Sequence, residues 1–319
     1  MTTKIVFMGT PQFAVGILEA LIAAPEYDVV AVLTQPDRVL GRKRVLTPTP
    51  VKAVAVVAGI PVYQPQKLSG SPELQTIIDL QPDVMITAAY GQFLPTKLLA
   101  AAKIGAINVH ASLLPKYRGG APIHYAVING DAQTGVSIMY MVKEMDAGDV
   151  LAQATLPITD QDDTGTLFVK LSDLGRDLLL QTLPDLIAGT NVATPQDPAL
   201  VTFSPTIKAE EEMLDWDQPA RRVWNQIRGL YPFPIAHTLI NGVRTKILKA
   251  DLIEEDPILG APAGTVVKKT KHELWIVAGD DQMLAIRELQ PAGKPKMDVT
   301  AYLNGHATFK EGDVIITHE

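Results

Sequence analysis

Four short apolar runs, separated by stretches of helical character, constrain this chain more than anything else in it. They are Lys4–Gly9 (KIVFMG), Asp28–Thr34 (DVVAVLT), Asp83–Ala89 (DVMITAA) and Gly105–Val109. Runs this uniformly apolar are the mark of parallel strands buried on both faces. Helices are expected from Gly9-Thr10-Pro11 through about Ala24, over Pro50–Ala58 and over Pro95–Ala102. Parallel strands joined by helices need right-handed crossovers, so the expected fold is α/β, a doubly wound, Rossmann-like, mostly parallel sheet. Thr134–Val142 and Gly148–Pro157 are close enough to pair antiparallel, and Thr164–Ala188 reads as a long helix sealing the domain.

Character changes near residue 190. Residues 190–207 contain three prolines and no amphipathic period, which predicts an extended linker. Beyond it, short β-like runs broken by glycine recur at 236–240, 245–250, 264–267, 274–277, 284–289 and 313–317. Several short strands with turn signals predict a small C-terminal β-barrel, OB-like in size. The expected division is therefore a catalytic domain over 1–189, a linker over 190–207 and a barrel domain over 208–319.

A chain of 319 residues with 47% hydrophobic and 20% charged residues can bury two cores. With no cysteine, disulfides and thiolate metal sites are excluded. MTTKIVFMGT runs straight into a strand without a signal-peptide pattern, and no apolar run nears the ~20 residues of a membrane span. A soluble, cytoplasmic protein with no membrane partner is expected. A net charge of −7 argues against indiscriminate nucleic-acid binding but leaves room for local basic patches.

The richest stretch is Gly105–Ile123, GAINVHASLLPKYRGGAPI. Residues two apart on a strand share a face, so Asn108 and His110 should point the same way with Val109 behind them. Ligands of open α/β sheets bind beyond the carboxyl ends of strands, which is where this amide and imidazole fall. For a lone histidine the ordinary reading is a satisfied strand-end side chain. Other chemistries fit poorly. Pro11 stands where a dinucleotide fingerprint needs its second glycine, and no GxxxxGK[ST] loop occurs. The six histidines show no metal-ligand spacing, so no metal is expected. Ser112 lacks a nucleophile elbow and reads as a turn or ligand-contact residue.

The company His110 keeps lies downstream, where Met141–Asp149 puts Asp146 in a tight connection between two strands. Alone, Asp146 is an ordinary turn residue. Beside Asn-x-His at a strand end it completes a polar triad. A carboxylate orients an imidazole, and an amide NH2 with a protonated imidazole can donate to a developing oxyanion. That equipment suits acyl or formyl transfer without a covalent intermediate.

Together Phe7–Ala14 (FMGTPQFA), Gln35-Pro36-Asp37-Arg38, Ala89-Tyr90-Gly91, Asn108-x-His110-x-Ser112-Leu113-Leu114-Pro115, Arg118–Pro122 and Asp146–Asp149 resemble the 10-formyltetrahydrofolate-dependent formyltransferases. The FMGTPQFA opening and the basic PDRVLGRKR loop are most similar to the methionyl-tRNA branch, and the resemblance runs essentially end to end. It implies transfer of the formyl group of 10-formyltetrahydrofolate to the α-amine of methionyl initiator tRNA. It also implies that Asn108 and His110 serve the oxyanion while Asp146 orients His110 and relays a proton. Ser112, Leu113, Leu114 and Pro115 would line the folate site, with Tyr90 and Gly91 as its wall.

The same resemblance assigns the insertion Asp37–Lys52 to the acceptor end of the tRNA, with Arg38, Arg42, Lys43 and Arg44 as its cations and Arg42 at the key position. Read from the residues alone, this is a long loop without secondary structure, more often functional than not in a compact domain. The C-terminal region holds slightly more acids than bases, but its cations cluster at Arg244, Lys246 and Lys249, then 268–271, then Lys294 and Lys296. Lys246 and Lys249 are expected to track tRNA phosphates from the barrel, and a monomer is expected. Two other readings stay open: a formyltransferase acting on a sugar-nucleotide amine, and a non-catalytic nucleotide-binding protein.

Overall fold

β1 (Thr3–Gly9) pairs in parallel with β2 (Tyr27–Leu33), and α1 (Val15–Ala23) makes the connection. In this computed structural model residues 2–41, 44–305 and 307–317 are described. Between β2 and the next sheet strand lie a small antiparallel hairpin, β3 (Arg38–Leu40) with β4 (Val45–Thr47), and α2 (Pro50–Val57). Then come β5 (Val62–Tyr63), α3 (Pro72–Asp79), β6 (Val84–Ala88), α4 (Thr96–Leu99) and β7 (Gly105–His110). α5 (Pro122–Ile128) precedes the antiparallel pair β8 (Gln133–Tyr140) and β9 (Val150–Pro157), and α6 (Thr164–Ala188) follows.

The sheet runs β5-β2-β1-β6-β7-β8-β9, parallel up to β7 and antiparallel beyond it. This is the doubly wound, mostly parallel sheet expected from the apolar runs. Local signals explain the helix starts: Thr49 caps α2 by accepting from Lys52 N, Ser71 caps α3 from Leu74 N, and a proline follows each cap. One face of the sheet packs Val6, Met8, Ala31, Leu33, Met85 and Ala106 against Leu74, Ile77, Leu94 and Leu98. The helix α3 and the strand β5 were not foreseen. The 37–52 insertion, expected to lack secondary structure, instead carries the β3–β4 hairpin, because Arg38–Leu40 registers on Val45–Thr47.

Two compact units divide the chain. The first holds Met1–Pro122, Gln133–Pro157 and Phe168–Ser204; the second holds Ile123–Ala132, Ile158–Leu167 and Pro205–Glu319. In the second, α7 (Ala220–Gly229) buries Ala220, Val223, Trp224 and Ile227, a helical stripe, and Trp224 Nε1 donates to Ala250 O at 2.8 Å. Seven strands follow: β10 (His237–Ile240), β11 (Val243–Ile253), β12 (Val266–Lys269), β13 (Leu274–Val277), β14 (Met283–Pro291), β15 (Met297–Asp298) and β16 (Ile316–Thr317), with α8 (Val299–Gly305) between the last two.

Their order is β12-β13-β14-β11-β10-β16, with β15 on β14. The approach to β16 also bonds back to the start of β12: Val266 N donates to Asp313 O, Gly312 N to Val266 O and Ile315 N to Gly264 O. The antiparallel sheet thereby closes on itself around Trp216, Ile247, Leu274, Ile276, Leu284 and Leu289, the small barrel expected from the short strands.

Candidate active site

β7 carries the first two polar groups to the carboxyl end of the sheet. Its register sets Asn108 beside Thr87 of β6 and His110 beside Ser137 of β8. Alternation turns Val109 to the opposite face, where Gly175 of α6 lies against Val109 and Val136 and a Cβ would come within 2.9 Å of Val109 Cγ1. The Thr87 hydroxyl lies 2.7 Å from Asn108 Oδ1 and donates to it. That bond leaves the Asn108 NH2 as the outward-facing donor.

His110 is buried, and its Nε2 lies 2.9 Å from the Tyr117 carbonyl. A carbonyl only accepts, so Nε2 carries a proton and Nδ1 is the nitrogen left for exchange. Asp146 faces it, with Oδ2 3.7 Å from His110 Nδ1. The same oxygen accepts from the Gly119 N–H at 2.8 Å, so the carboxylate is fixed by backbone rather than by the ring. Asp146 itself is left-handed, at φ 50°. Its turn is tight enough that a Cβ on Gly148 would fall 1.9 Å from Tyr140 O, which only glycine permits. The amide, the imidazole and the carboxylate thus converge on one strand end.

The Ser112–Pro115 turn is held from below. Ser137 Oγ donates to Ser112 O at 2.6 Å and accepts from Leu114 N, while Gln153 Nε2 donates to Leu114 O at 2.8 Å. The Ser112 hydroxyl donates to Lys116 O at 2.7 Å, so its proton shapes the turn and the oxygen is no nucleophile. Leu114 is buried; Leu113 lies over Gly135, where any Cβ would sit 2.5 Å from its Cδ2. Pro115 is half-buried, its carbonyl accepting from Thr202 N.

Tyr90 and Gly91 divide in role. The Tyr90 ring is only 4% exposed and packs within the sheet core, and burial pushes its hydroxyl up to about 12. Its carbonyl accepts from Thr10 Oγ1 at 2.9 Å and from Gln35 Nε2 at 3.1 Å, so the 90–91 turn joins the ends of β1, β2 and β6 through backbone. The Tyr90 ring thus lies in the core beneath this turn, while Gly91 sits beside the Gln35 side chain.

Sequence reasoning missed the segment read as a linker. Its residues 194–204 are laid along the site loops: Arg118 N donates to Thr202 O, Ser204 N to Arg118 O, Ala121 N to Ser204 O and Val150 N to Thr194 O. Ser204 is fully buried, and its hydroxyl donates to the Tyr117 carbonyl that also receives His110 Nε2. Gln196 reaches both Arg118 and the Asp146 turn. The Gln-x₅-Thr-x-Ser spacing of polar residues was the one available signal, and it carries no period of its own.

Of the basic residues, Arg38 is exposed on β3 and Arg44 follows the hairpin tip at φ 48°; Arg42 and Lys43 lie outside the described residues. The hairpin base is firm. Asp37 accepts from Gln64 at 2.7 Å and Lys52 at 2.6 Å, bonds that hold its carboxyl below the usual carboxylate range, and Thr34 and Thr49 hydroxyls meet at 2.7 Å. On β11, Lys246 and Lys249 share the outward face because the strand bulges between Ile247 and Lys249. Lys249 lies 3.4 Å from Glu288, which Lys296 also contacts, so part of that charge is already neutralised. Among the described residues no group of three or more His, Asp or Glu is placed to hold a metal ion, and no helix is long and apolar enough to cross a membrane.

Residues 3–183 match the family described as Formyl transferase, and residues 206–307 match Formyl transferase, C-terminal domain. The chain belongs to the formyltransferase family. This formyltransferase is 60% identical over 316 residues to the methionyl-tRNA formyltransferase of Lactiplantibacillus plantarum, covering 98% of this chain and 99% of that one. It is 56% identical to the methionyl-tRNA formyltransferase of Streptococcus thermophilus, at 98% and 99% coverage. Among solved structures it superposes with a TM-score of 0.69 on an N-formyltransferase from Helicobacter canadensis in complex with folinic acid and dTDP-3-aminofucose, at 18% identity, covering 91% of this chain and 100% of that one. A likeness at that identity concerns the formyltransferase fold.

Proposed function

We propose that this formyltransferase moves the formyl group of 10-formyltetrahydrofolate to the α-amine of methionyl initiator tRNA, giving N-formylmethionyl-tRNA. The observation that carries the reading is the near end-to-end match, at 55–60% identity, to proteins named methionyl-tRNA formyltransferase. The sugar N-formyltransferases of similar fold match at 17–20% identity, well below that level.

An aminoacyl α-amine has a reference pKa near ~8, so a useful fraction is free base at neutral pH. The harder task is stabilising charge on the formyl oxygen as the amine adds to the formyl carbon. The Asn108 NH2, aimed by Thr87, supplies one donor there. The C–N10 bond then breaks, and the proton lost by the incoming amine must reach N10. His110 Nδ1, with Asp146 beyond it at 3.7 Å, is the group of this chain able to hold that proton in passing, and an imidazolium there would be a second donor to the oxyanion. The Ser112–Pro115 turn and the Gly91 turn bound the folate side. The β3–β4 hairpin with Arg38 and Arg44, and Lys246 and Lys249 on the barrel, serve the tRNA phosphates.

The test offers 10-formyltetrahydrofolate with either methionyl initiator tRNA or an amino-sugar nucleotide to the purified chain. Formylation of the tRNA alone is expected; formylation of the sugar alone, or of neither, overturns the reading.

A further inference from the structure

Asp146 points its carboxylate at His110 from a left-handed backbone conformation, at φ 50°, that few residues other than glycine, asparagine and aspartate adopt. The Gly119 N–H fixes the carboxylate oxygen, but it leaves the turn's own backbone unaccounted for. Both of the turn's inward carbonyls are met by one side chain. Gln196 Nε2 donates to Asp146 O at 2.8 Å and to Gly148 O at 2.7 Å. At its other end, Gln196 Oε1 accepts from Arg118 Nε at 3.0 Å and from Arg118 Nη2 at 2.8 Å.

An amide has two donor hydrogens and two acceptor lone pairs, and here all four are spent. The opposite amide orientation would set NH2 against a guanidinium and oxygen against two carbonyls, so the network admits one orientation only. A saturated amide has nothing left to offer a substrate. Its neighbours, however, are the two ends of the site: Arg118 directly precedes the Gly119 that binds Asp146 Oδ2, and Asp146 and Gly148 are the turn itself. Gln196 therefore closes a ring from Arg118 through its own amide to the Asp146 backbone, and from the Asp146 carboxylate back to Gly119.

We infer that Gln196 is a positioning residue for formyl transfer: it holds the 146–148 turn so that the Asp146 carboxylate faces His110 Nδ1. This rests on the assignment of Asp146 to the reaction. Nothing in the reaction passes through Gln196, so its loss is expected to act on turnover through the Asp146 turn it bonds and to leave the binding of folate and tRNA in place.

The experiment is a double-mutant cycle on the full chain with saturating 10-formyltetrahydrofolate and methionyl initiator tRNA. Gln196→Ala is expected to lower kcat about tenfold or more with both KM values within about threefold, and Asp146→Asn to lower kcat about 10²-fold. The double variant should match Asp146→Asn alone within about threefold, because without the carboxylate the turn has nothing left to aim. Gln196→Glu keeps an acceptor for Arg118 but loses both donors to the turn, so it should fall as far as Gln196→Ala.

Four results overturn the inference. They are a Gln196→Ala kcat within about twofold of the parent, a double variant that loses the product of the single losses, recovery in Gln196→Glu, and failure of both variants to fold. An Asp146→Asn chain with undiminished turnover would instead sink the assignment of Asp146, and the positioning role with it.

Discussion

Thr87 and Asn108 stand side by side on neighbouring parallel strands, and the hydroxyl of the first donates to Oδ1 of the second at 2.7 Å. In this arrangement the hydroxyl, which also lies 3.2 Å from Ile107 O, holds the amide oxygen and leaves the amide nitrogen unclaimed by Thr87. A side-chain amide free to rotate would present oxygen or nitrogen alike to a reacting carbonyl, and only nitrogen is of use there. Thr87→Val keeps the shape and removes the hydroxyl, so kcat should fall by up to about tenfold. Removing this buried donor leaves Asn108 Oδ1 without its partner and should cost about 1–3 kcal/mol, so the melting temperature should fall by several degrees as well. Steady-state kinetics and a thermal melt on the same sample check both halves.

His110 is tied by Nε2 to a carbonyl, so only its other nitrogen can take part in proton movement. His110→Ala should cost on the order of 10²-fold or more in kcat while folate binding persists. Binding titration of a non-reactive folate beside turnover measurements separates the two effects.

Gly148→Ala places a methyl within 1.9 Å of the Tyr140 carbonyl oxygen, a position no relaxation of side chains relieves. The backbone of the turn must move and carry Asp146 with it. Turnover should fall by about 10²-fold, since misplacement by about an ångström is enough for that. The measurement is kcat at saturating substrates, with circular dichroism to establish that the sheet persists.

Arg38, opposite Thr47 at the base of the hairpin, and Arg44, just before β4, both face solvent. Replacing both with alanine should raise KM for methionyl-tRNA several-fold and leave KM for the folate unchanged. Each cation lost should also reduce the slope of log affinity against log salt by about 1. Binding measured across a salt series is the readout.

Asp83 supplies an acid-limb prediction. Its carboxylate accepts from the Lys4 backbone N–H at 2.8 Å and pairs with Lys103 at 3.0 Å, and these hold it below the usual carboxylate range. A depressed carboxyl contributes stability above its unfolded value, near ~3.9, and loses it as pH falls through the lower folded value. Asp83→Asn should therefore melt lower than the parent at pH 7, and the gap should narrow as pH falls below about 4. Melting curves from pH 7 down to pH 3 check the sign.

Much of the fold was legible because burial on both faces leaves a clear mark: the runs at 4–9, 28–34, 83–89 and 105–109 all became sheet strands within a residue or two. The nearness of His110 to Asp146 was legible because each sits at a strand end or turn, where a polar side chain can face out of the sheet. What stayed hidden has a physical reason in each case. The strands β3 and β5 are too short to show alternation. The Tyr90 ring turned inward because the apolar sheet face beneath it takes up large side chains, while its backbone faces the rim. The 194–204 segment binds through backbone groups and single polar side chains, which leave no hydrophobic period, so prolines and exposed apolar residues made it look idle. The inclusion of 123–132 and 158–167 in the second unit reflects contacts far apart in sequence, which local patterns do not encode.

The return of residues 312–315 onto 264–266 has a further consequence. An open six-strand ribbon would offer a naked row of amides and carbonyls along each border, an invitation to pair with any extended chain nearby. Stitching the last strand to the first removes both borders at once. Shortening the chain before residue 312 would therefore do more than delete a few contacts: it would unzip a ring into a sticky sheet, and clumping would follow before loss of secondary structure.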